Sequence, residues 1–160
     1  MNYRLLFAVI LPVLWISCTQ QAATSSYEKL GLEELTIPEL HQGYESGSFT
    51  IEEVVQAYLK RIDAIDKNGP ELNSILTINP DAIELAQELD KELSAGNSKG
   101  SLFGVPVILK DNIDTHDKMP NTAGATVMAG SMPLQDAFIV ERLREEGAII
   151  LAKANLSEWA

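Results

Sequence analysis

Residues 104–114 have the sequence GVPVILKDNID, an apolar run that stops abruptly at a lysine and two acids. A short run rich in β-branched residues that follows a glycine and ends in polar residues predicts a buried parallel strand. In open α/β sheets, the carboxyl ends of such strands border the ligand crevice, so a cation placed there is a candidate for chemistry. Lys110 is that cation.

A simpler interpretation of Lys110 stands beside this one. Polar residues normally follow buried strands, and a lysine there is usually solvated or paired with a neighbouring carboxylate such as Asp111 or Asp114. Position alone favours this structural role. The pattern of the surrounding chain is needed to decide between the two.

Two capping boxes predict helices upstream of this strand. Residues 36–39 (TIPE) place a proline inside the first turn of a short helix, and residues 50–53 (TIEE) begin a second helix. Apolar side chains recur at helical spacing over residues 51–65, until residues 68–70 (NGP) end the pattern.

The segments around residues 104–114 predict a sheet. Residues 74–78 form a brief apolar run, after which Asn79 can cap and Pro80 can begin a helix. Strand, helix and the next strand would form a crossover unit, which predicts a parallel sheet.

Residues 115–133 show no period and are predicted to be a long loop, of the kind that is usually functional or disordered. Gly124 and Gly130 would allow a close approach of the backbone to a substrate, or simply permit turns.

The last part of the chain predicts a helix, a strand and the beginning of another helix. Asp136 can cap a helix that runs to about Glu146, and residues 148–152 form a third apolar run. Asn155 can cap a helix of which barely one turn is present, so we expect the chain to be the front part of a longer α/β protein.

Composition excludes several function classes. The chain has 160 residues and a net charge of -11, so it lacks the basic face that binding to nucleic acid requires. Nucleotide-binding glycine motifs are absent, and His41 and His116 lack a metal-ligand spacing. We therefore expect no metal and no cofactor.

The amino terminus predicts export. Arg4 precedes an apolar run over residues 5–16, which is too short for an ordinary membrane span and is typical of a secretory signal. We expect residues 1–17 to be a signal peptide, residues 18–27 a flexible tether, and residues 28–160 the folded part. The expected location is the bacterial cell envelope or periplasm.

Cys18 is the only cysteine, which excludes an internal disulfide. Its position directly after the apolar run resembles a bacterial lipoprotein signal, although Trp15 stands where a smaller aliphatic residue is usual. A lipidated Cys18 would tether a soluble protein to the membrane through the lipid only. General secretory cleavage and a free buried thiol are the alternatives.

Several segments together resemble the opening of the amidase signature family. They occur in the family's order: residues 104–112 (GVPVILKDN), 122–124 (TAG), 136–137 (DA), 147–150 (GAII) and 153–160 (KANLSEWA). The resemblance covers about residue 27 to the end, and the closing NLSEWA is especially similar to the peptide amidase branch.

The resemblance implies a mixed, largely parallel sheet between helices and a hydrolase that cleaves carboxamide C–N bonds in small molecules or peptides. Such enzymes use a Ser–Ser–Lys triad, and the triad lysine matches Lys110. The two serines belong to a later Gly/Ser-rich segment, which neither Ser131 nor Ser157 matches. This chain alone would therefore be inactive.

The chemistry of such a triad requires Lys110 to work as an uncharged base, because an ammonium cannot accept a proton. We expect burial at the strand end to favour the neutral amine. Asp111 close to the amine would oppose this, so we expect Asp111 to shape the turn instead.

Two positions depart from the family pattern. Ala125 follows the TAG segment where many members have serine, and residues 152–155 are AKAN where the family commonly has GKTN. The polar contributions of those hydroxyls are missing here, but Lys110 is unaffected.

Three other functions remain open. A strand-end lysine can form a Schiff base with a carbonyl substrate. An exported lipoprotein can keep this fold for binding without catalysis. Some family members amidate tRNA-bound glutamate within a complex, which export argues against because charged tRNA is cytosolic.

Overall fold

The computed structural model describes residues 26–160. The predicted signal peptide, Cys18 and residues 18–25 of the predicted tether lie outside the described residues. The elements follow the chain in this order: α1 (Ser26–Lys29), α2 (Ile37–Ser46), α3 (Ile51–Arg61), a π-helix (Ile62–Asn68), β1 (Ile75–Ile78), α4 (Ala82–Ser94), β2 (Pro106–Lys110), a 3-10 turn (Thr126–Met128), α5 (Phe138–Glu145) and β3 (Ile149–Ala154).

Helix α1 begins inside the predicted tether, at Ser26. Tyr27 accounts for the difference, because its hydroxyl donates to the Leu32 carbonyl oxygen at 2.9 Å. Its ring also meets the Tyr58 ring edge-on, with 5.4 Å between the centroids. Among residues 26–160, no helix has both the length and the apolar character needed to cross a membrane.

Both predicted capping boxes are present. The Thr36 N–H donates to the Glu39 carboxylate at 2.9 Å, and the Thr50 N–H donates to the Glu53 carboxylate at the same distance. The Glu53 N–H returns a 3.0 Å bond to the Thr50 hydroxyl oxygen. These bonds satisfy amides that have no partner inside the helix, so α2 and α3 begin where the sequence predicts.

Helix α3 anchors the larger part of the core. Ile51, Val54 and Val55 are fully buried, and burial of each such side chain stabilises the fold by about 1.5–3 kcal/mol. The carboxylate of Asp90, on α4, accepts hydrogen bonds from the first two amides of α3, at 2.8 and 3.0 Å. A negative charge at the positive end of the helix dipole joins the two helices electrostatically.

The three strands form one mixed sheet in the order β1-β3-β2. Strands β2 and β3 are parallel, with Lys110 opposite Ala154, whereas β1 and β3 are antiparallel, with Ile78 opposite Ala152. The predicted α/β class with a mixed sheet is confirmed. The prediction that β1, α4 and β2 form a parallel crossover unit is wrong: β3 lies between the two strands, and β1 runs antiparallel to it. Strand β3 is buried along nearly its whole length and takes the central position between two partly exposed strands.

Helices cover both faces of the sheet. Helices α2, α3 and α4 form the larger cluster with residues of β3 such as Ile149 and Leu151. Helix α5 forms a smaller cluster on the other face, through Leu109, Met119 and Val140. The predicted arrangement of a sheet between helices is confirmed.

Two predicted caps are wrong. Helix α5 begins at Phe138 without a side-chain cap, because the Asp136 carboxylate accepts from Arg144 Nε at 2.9 Å instead. Strand β3 runs on to Ala154, and no helix follows Asn155, whose side-chain amide donates to the Asn73 carbonyl oxygen at 3.1 Å. The Asp136 carboxylate also accepts from the His116 N–H, 20 residues earlier, so at Asp136 and at Asn155 a contact with another segment takes the place of the local cap.

Asp66 is a buried carboxylate at the end of the π-helix. It accepts hydrogen bonds from the Ser74 hydroxyl, from the Ser74 N–H at 2.7 Å and from the Ile75 N–H at 3.1 Å. The bond from the Ser74 hydroxyl, helped by these amides, lowers the pKa of Asp66 to about 2. The carboxylate therefore fixes the chain where it enters β1.

We expect Asp66→Asn to lower the free energy of unfolding at neutral pH. The substitution replaces one of the two accepting oxygens with an NH₂ group, which is itself a donor, opposite the three donors from Ser74 and Ile75. The folded pKa of Asp66 is depressed, so its stabilisation is fully present above the unfolded value of about 3.9 and is lost as the pH falls towards about 2. Urea unfolding of both proteins between pH 2.5 and 7 measures this. The matched control is Glu88→Gln, at an exposed position of α4. A difference from the wild type that stayed constant over the whole pH range would contradict the prediction.

Candidate functional site

Lys110 is the last residue of β2, at the carboxyl end of the parallel pair. Its Nζ donates a hydrogen bond to the Asn155 carbonyl oxygen at 2.7 Å, directly after β3. The Asn155 N–H in turn donates to the Ser74 carbonyl oxygen at 2.7 Å, just before β1. The backbone after β3 therefore orients the Lys110 amine, and the backbone before β1 holds that segment in place.

Lys110 is exposed among residues 26–160, so the expectation of a buried amine is wrong for this part of the chain. The cause is the alternation of side chains along a strand. Val107 and Leu109 pack into the cluster against α5, which turns Ile108 and Lys110 to the opposite face. Ile108 is 43% exposed there, so the amine has an apolar neighbour and is open to a reacting group.

Asp111 is fully buried and faces the Thr122 segment. Its Oδ2 accepts from the Thr122 N–H at 3.1 Å and from the Thr122 hydroxyl. The Asp111 N–H donates to the Ala154 carbonyl oxygen, and its own carbonyl oxygen accepts from the Ala123 N–H, both at 3.1 Å. The prediction that Asp111 shapes the turn is confirmed, and among the described residues it forms no ion pair with Lys110.

The loop that follows is irregular apart from one 3-10 turn, as predicted. Arg144 of α5 holds it in two places, through Nη2 to Asp117 and through Nε to Asp136, each at 2.9 Å. Asp117 also accepts from the Met119 N–H at 2.9 Å. A charged side chain from the adjacent helix therefore fixes the path of the loop.

A groove of about 370 Å³ lies between this loop and β1. Its lining includes Leu76, Pro120, Thr122, Gly124 and Asn155. Because Asn155 also binds Lys110, a small molecule in this groove would lie beside the segment that orients the amine.

Lys153 was not identified as a candidate from the sequence, although it is fully buried within β3. Its Nζ donates to the Ile113 carbonyl oxygen at 2.7 Å. Burial lowers the pKa of Lys153, against the opposing effect of the carboxylates of Asp111, Asp117 and Asp114. The available signal was a lysine inside the otherwise apolar strand IILAKA.

The remaining sequence candidates are not brought to Lys110. Neither Ser131 nor Ser157 is hydrogen-bonded to its amine in the described part of the chain. His41 Nε2 lies 3.0 Å from a backbone carbonyl oxygen, and the His116 N–H donates to a carboxylate. Within residues 26–160, no group of three or more His, Cys, Asp or Glu residues could hold a metal ion.

Comparison with known proteins identifies the family. The family model described as Amidase matches residues 53–160. This chain belongs to the amidase family. One glutamyl-tRNA(Gln) amidotransferase subunit from Alkaliphilus metalliredigens is 38% identical over 130 residues, which are 81% of this chain and 26% of that protein.

Solved structures of other amidases share the fold. Native peptide amidase from Stenotrophomonas maltophilia is 40% identical, with a TM-score of 0.78 over 82% of this chain and 26% of that one. An amidase family protein from Bacillus anthracis is 44% identical, with a TM-score of 0.80 over 85% of this chain and 27% of that one. This amidase chain thus spans about a quarter of the length of the curated relatives it matches.

Gly124 and Gly130 both have positive φ angles, of 72° and 82°, but only one is crowded. A Cβ on Gly124 would lie 2.8 Å from the Leu156 carbonyl oxygen, whereas a Cβ on Gly130 would meet nothing within 4 Å. Gly124 is thus required where the loop touches the segment after β3.

We expect Gly124→Ala to destabilise this amidase more than Gly130→Ala. Each substitution introduces a left-handed alanine at a cost of about 1–2 kcal/mol, and Gly124→Ala adds the collision with the backbone. Chemical denaturation of the two variants gives the comparison. Equal losses of stability would show that the loop moves away from Leu156 without penalty.

Proposed function

We propose that this chain is the first part of a longer exported amidase that hydrolyses the C–N bond of a small-molecule or peptide carboxamide. Lys110 is the base of a Ser–Ser–Lys triad whose two serines lie outside this chain. Residues 26–160 by themselves are inactive. Membership of the amidase family and the likeness to peptide amidase support the reaction class.

The observation that carries the proposal is the orientation of Lys110. Its Nζ is held at 2.7 Å by a backbone carbonyl oxygen and is exposed on one face of the sheet. The nearest carboxylate in sequence, that of Asp111, is buried against Thr122. Within residues 26–160 the amine is therefore fixed in direction by a backbone oxygen and forms no ion pair with a carboxylate.

In the proposed mechanism, uncharged Lys110 takes a proton from the bridging serine, which takes the proton of the nucleophilic serine. The serine oxygen then bonds to the amide carbon, and backbone N–H groups stabilise the oxyanion. Lys110 returns the proton, through the same serine, to the departing nitrogen as the C–N bond breaks. Water then cleaves the acyl-serine by the same proton path.

An exposed amine is ordinarily charged, so this mechanism requires Lys110 to be covered in the working enzyme. The half-exposed Ile108 on the same face provides apolar surface for such a cover. We propose that a segment outside residues 26–160 supplies it.

Lys110→Ala in the full-length enzyme is expected to lower kcat by about 10²–10⁴-fold, because general base catalysis is lost. Release of ammonia or amine from an amidated dipeptide, an aryl anilide and benzamide would be measured, together with the melting temperature. Lys91→Met serves as the control, since it removes one charge from an exposed position on α4.

Two outcomes would reject the role of Lys110. The first is near-normal turnover by a folded Lys110→Ala enzyme. The second is borohydride trapping of a carbonyl substrate on Lys110, which would indicate a Schiff base. A serine-directed phosphonate should label the wild-type enzyme at a serine.

We also propose that Cys18 carries a lipid which tethers the exported enzyme to the bacterial cell envelope. The proposal rests on the cysteine directly after the apolar run of residues 5–16. An exported enzyme would not meet charged tRNA, so the proposal assigns it a free amide and not the tRNA-linked reaction named for one relative.

Cys18→Ala is expected to abolish incorporation of labelled palmitate and to move the protein from the membrane pellet to the soluble fraction, because a lipid anchor needs this thiol. Labelled growth of cells expressing each form, followed by sedimentation, measures both effects. Undiminished labelling of the variant would contradict lipidation of Cys18, which is the only cysteine in residues 1–160.

A further inference from the structure

We propose that Lys153 is a positioning residue for Lys110, holding from the buried side the turn that ends β2. The inference rests on the proposed function of Lys110 as the catalytic base. Lys153 lies on the central strand, opposite Leu109, and its Nζ reaches the turn at the Ile113 carbonyl oxygen.

Two hydrogen bonds connect the lysines through one residue. The Lys110 carbonyl oxygen accepts from the Ile113 N–H at 3.1 Å, which closes the turn. The Ile113 carbonyl oxygen accepts from Lys153 Nζ at 2.7 Å. Removal of the Lys153 amine would leave a carbonyl oxygen without its donor at the residue that closes the turn.

Loss of the hydrogen bond from Lys153 to Ile113 is expected to destabilise the turn, because the Lys153 side chain is buried. Lys153 is fully buried, so water cannot replace its amine at the Ile113 oxygen without a rearrangement of the turn. An aliphatic residue would suit the apolar surroundings of β3 better, because a buried amine is desolvated. The amine of Lys153 therefore stabilises the turn through its hydrogen bond, and it adds nothing to the apolar packing of the strand.

The charges around Lys153 support the same role. Asp111, Asp114 and Asp117 attract its positive charge, and Arg144 opposes it. Asp111 is fully buried, and its Oδ1 has no hydrogen-bond partner among residues 26–160. Lys153 thus supplies positive charge to the carboxylate that directly follows Lys110, and holds the turn electrostatically as well as by its hydrogen bond.

The test is Lys153→Met in the full-length enzyme, which keeps the length of the side chain and removes the amine. We expect kcat for an amidated dipeptide to fall on the order of 10²-fold while KM changes little, as for a displacement of about 1 Å in a catalytic group. Lys91→Met, which also removes one charge, should leave both constants unchanged.

The decisive comparison is made in the Lys110→Ala background. If Lys153 acts through Lys110, then Lys153→Met should not lower the residual kcat of Lys110→Ala any further. A purely structural role would lower kcat by a similar factor in both backgrounds. That second result would overturn the inference.

A double variant tests whether misfolding, and not the loss of the hydrogen bond, lowers kcat. Lys153→Met with Asp111→Asn removes both buried charges, so no uncompensated charge opposes folding, but the Ile113 oxygen still lacks its donor. We expect a folded enzyme with low kcat. Full turnover by either folded Lys153 variant, beside an inactive Lys110→Ala, would reject this inference alone, whereas full turnover by Lys110→Ala would reject the proposed function as well.

Discussion

The parallel pairing of β2 with β3 is the constraint on which the site depends. It brings Lys110 next to Ala154 and Asn155, which lie 44 and 45 residues later in the chain, and it aligns the ends of the two strands. Parallel neighbours need a long connection. Here that connection is the irregular loop and α5, so the same pairing places the loop, its glycines and Arg144 around the end of β2.

Buried charge near this pairing is balanced by residues from different segments. Lys153 brings a desolvated amine into the sheet, and Asp111 brings a buried carboxylate into the turn above it. Separately, each would carry a large desolvation penalty. Together with Arg144, which binds two carboxylates of the loop, they form a charge network that favours one path of the chain after β2.

Local sequence signals predicted the elements well, and long-range contacts explain the errors. The boxes at Thr36 and Thr50 act within one turn of helix, so sequence alone was sufficient for them. The predicted cap at Asp136 is wrong because the His116 N–H, 20 residues earlier, and Arg144 bind that carboxylate. The predicted parallel crossover unit of β1 and β2 is wrong because β3 takes the place between them. At the site, the position of Lys110 was predictable from the run it ends, whereas the burial of Lys153 became visible only once the loop was in place.

The alternation of side chains along β2 explains how residues 106–111 can contain a lysine and an aspartate that do not pair with each other. Successive side chains point to opposite faces, so Lys110 is directed to the open face while Asp111 is directed inward to Thr122. A shift of one residue in the pairing of β2 would exchange the two faces. It would place the amine on the face where Leu109, Met119 and Val140 now form the apolar cluster. The apolar packing of Val107 and Leu109 against α5 opposes that shift, so the core determines which side chains of β2 lie on the open face.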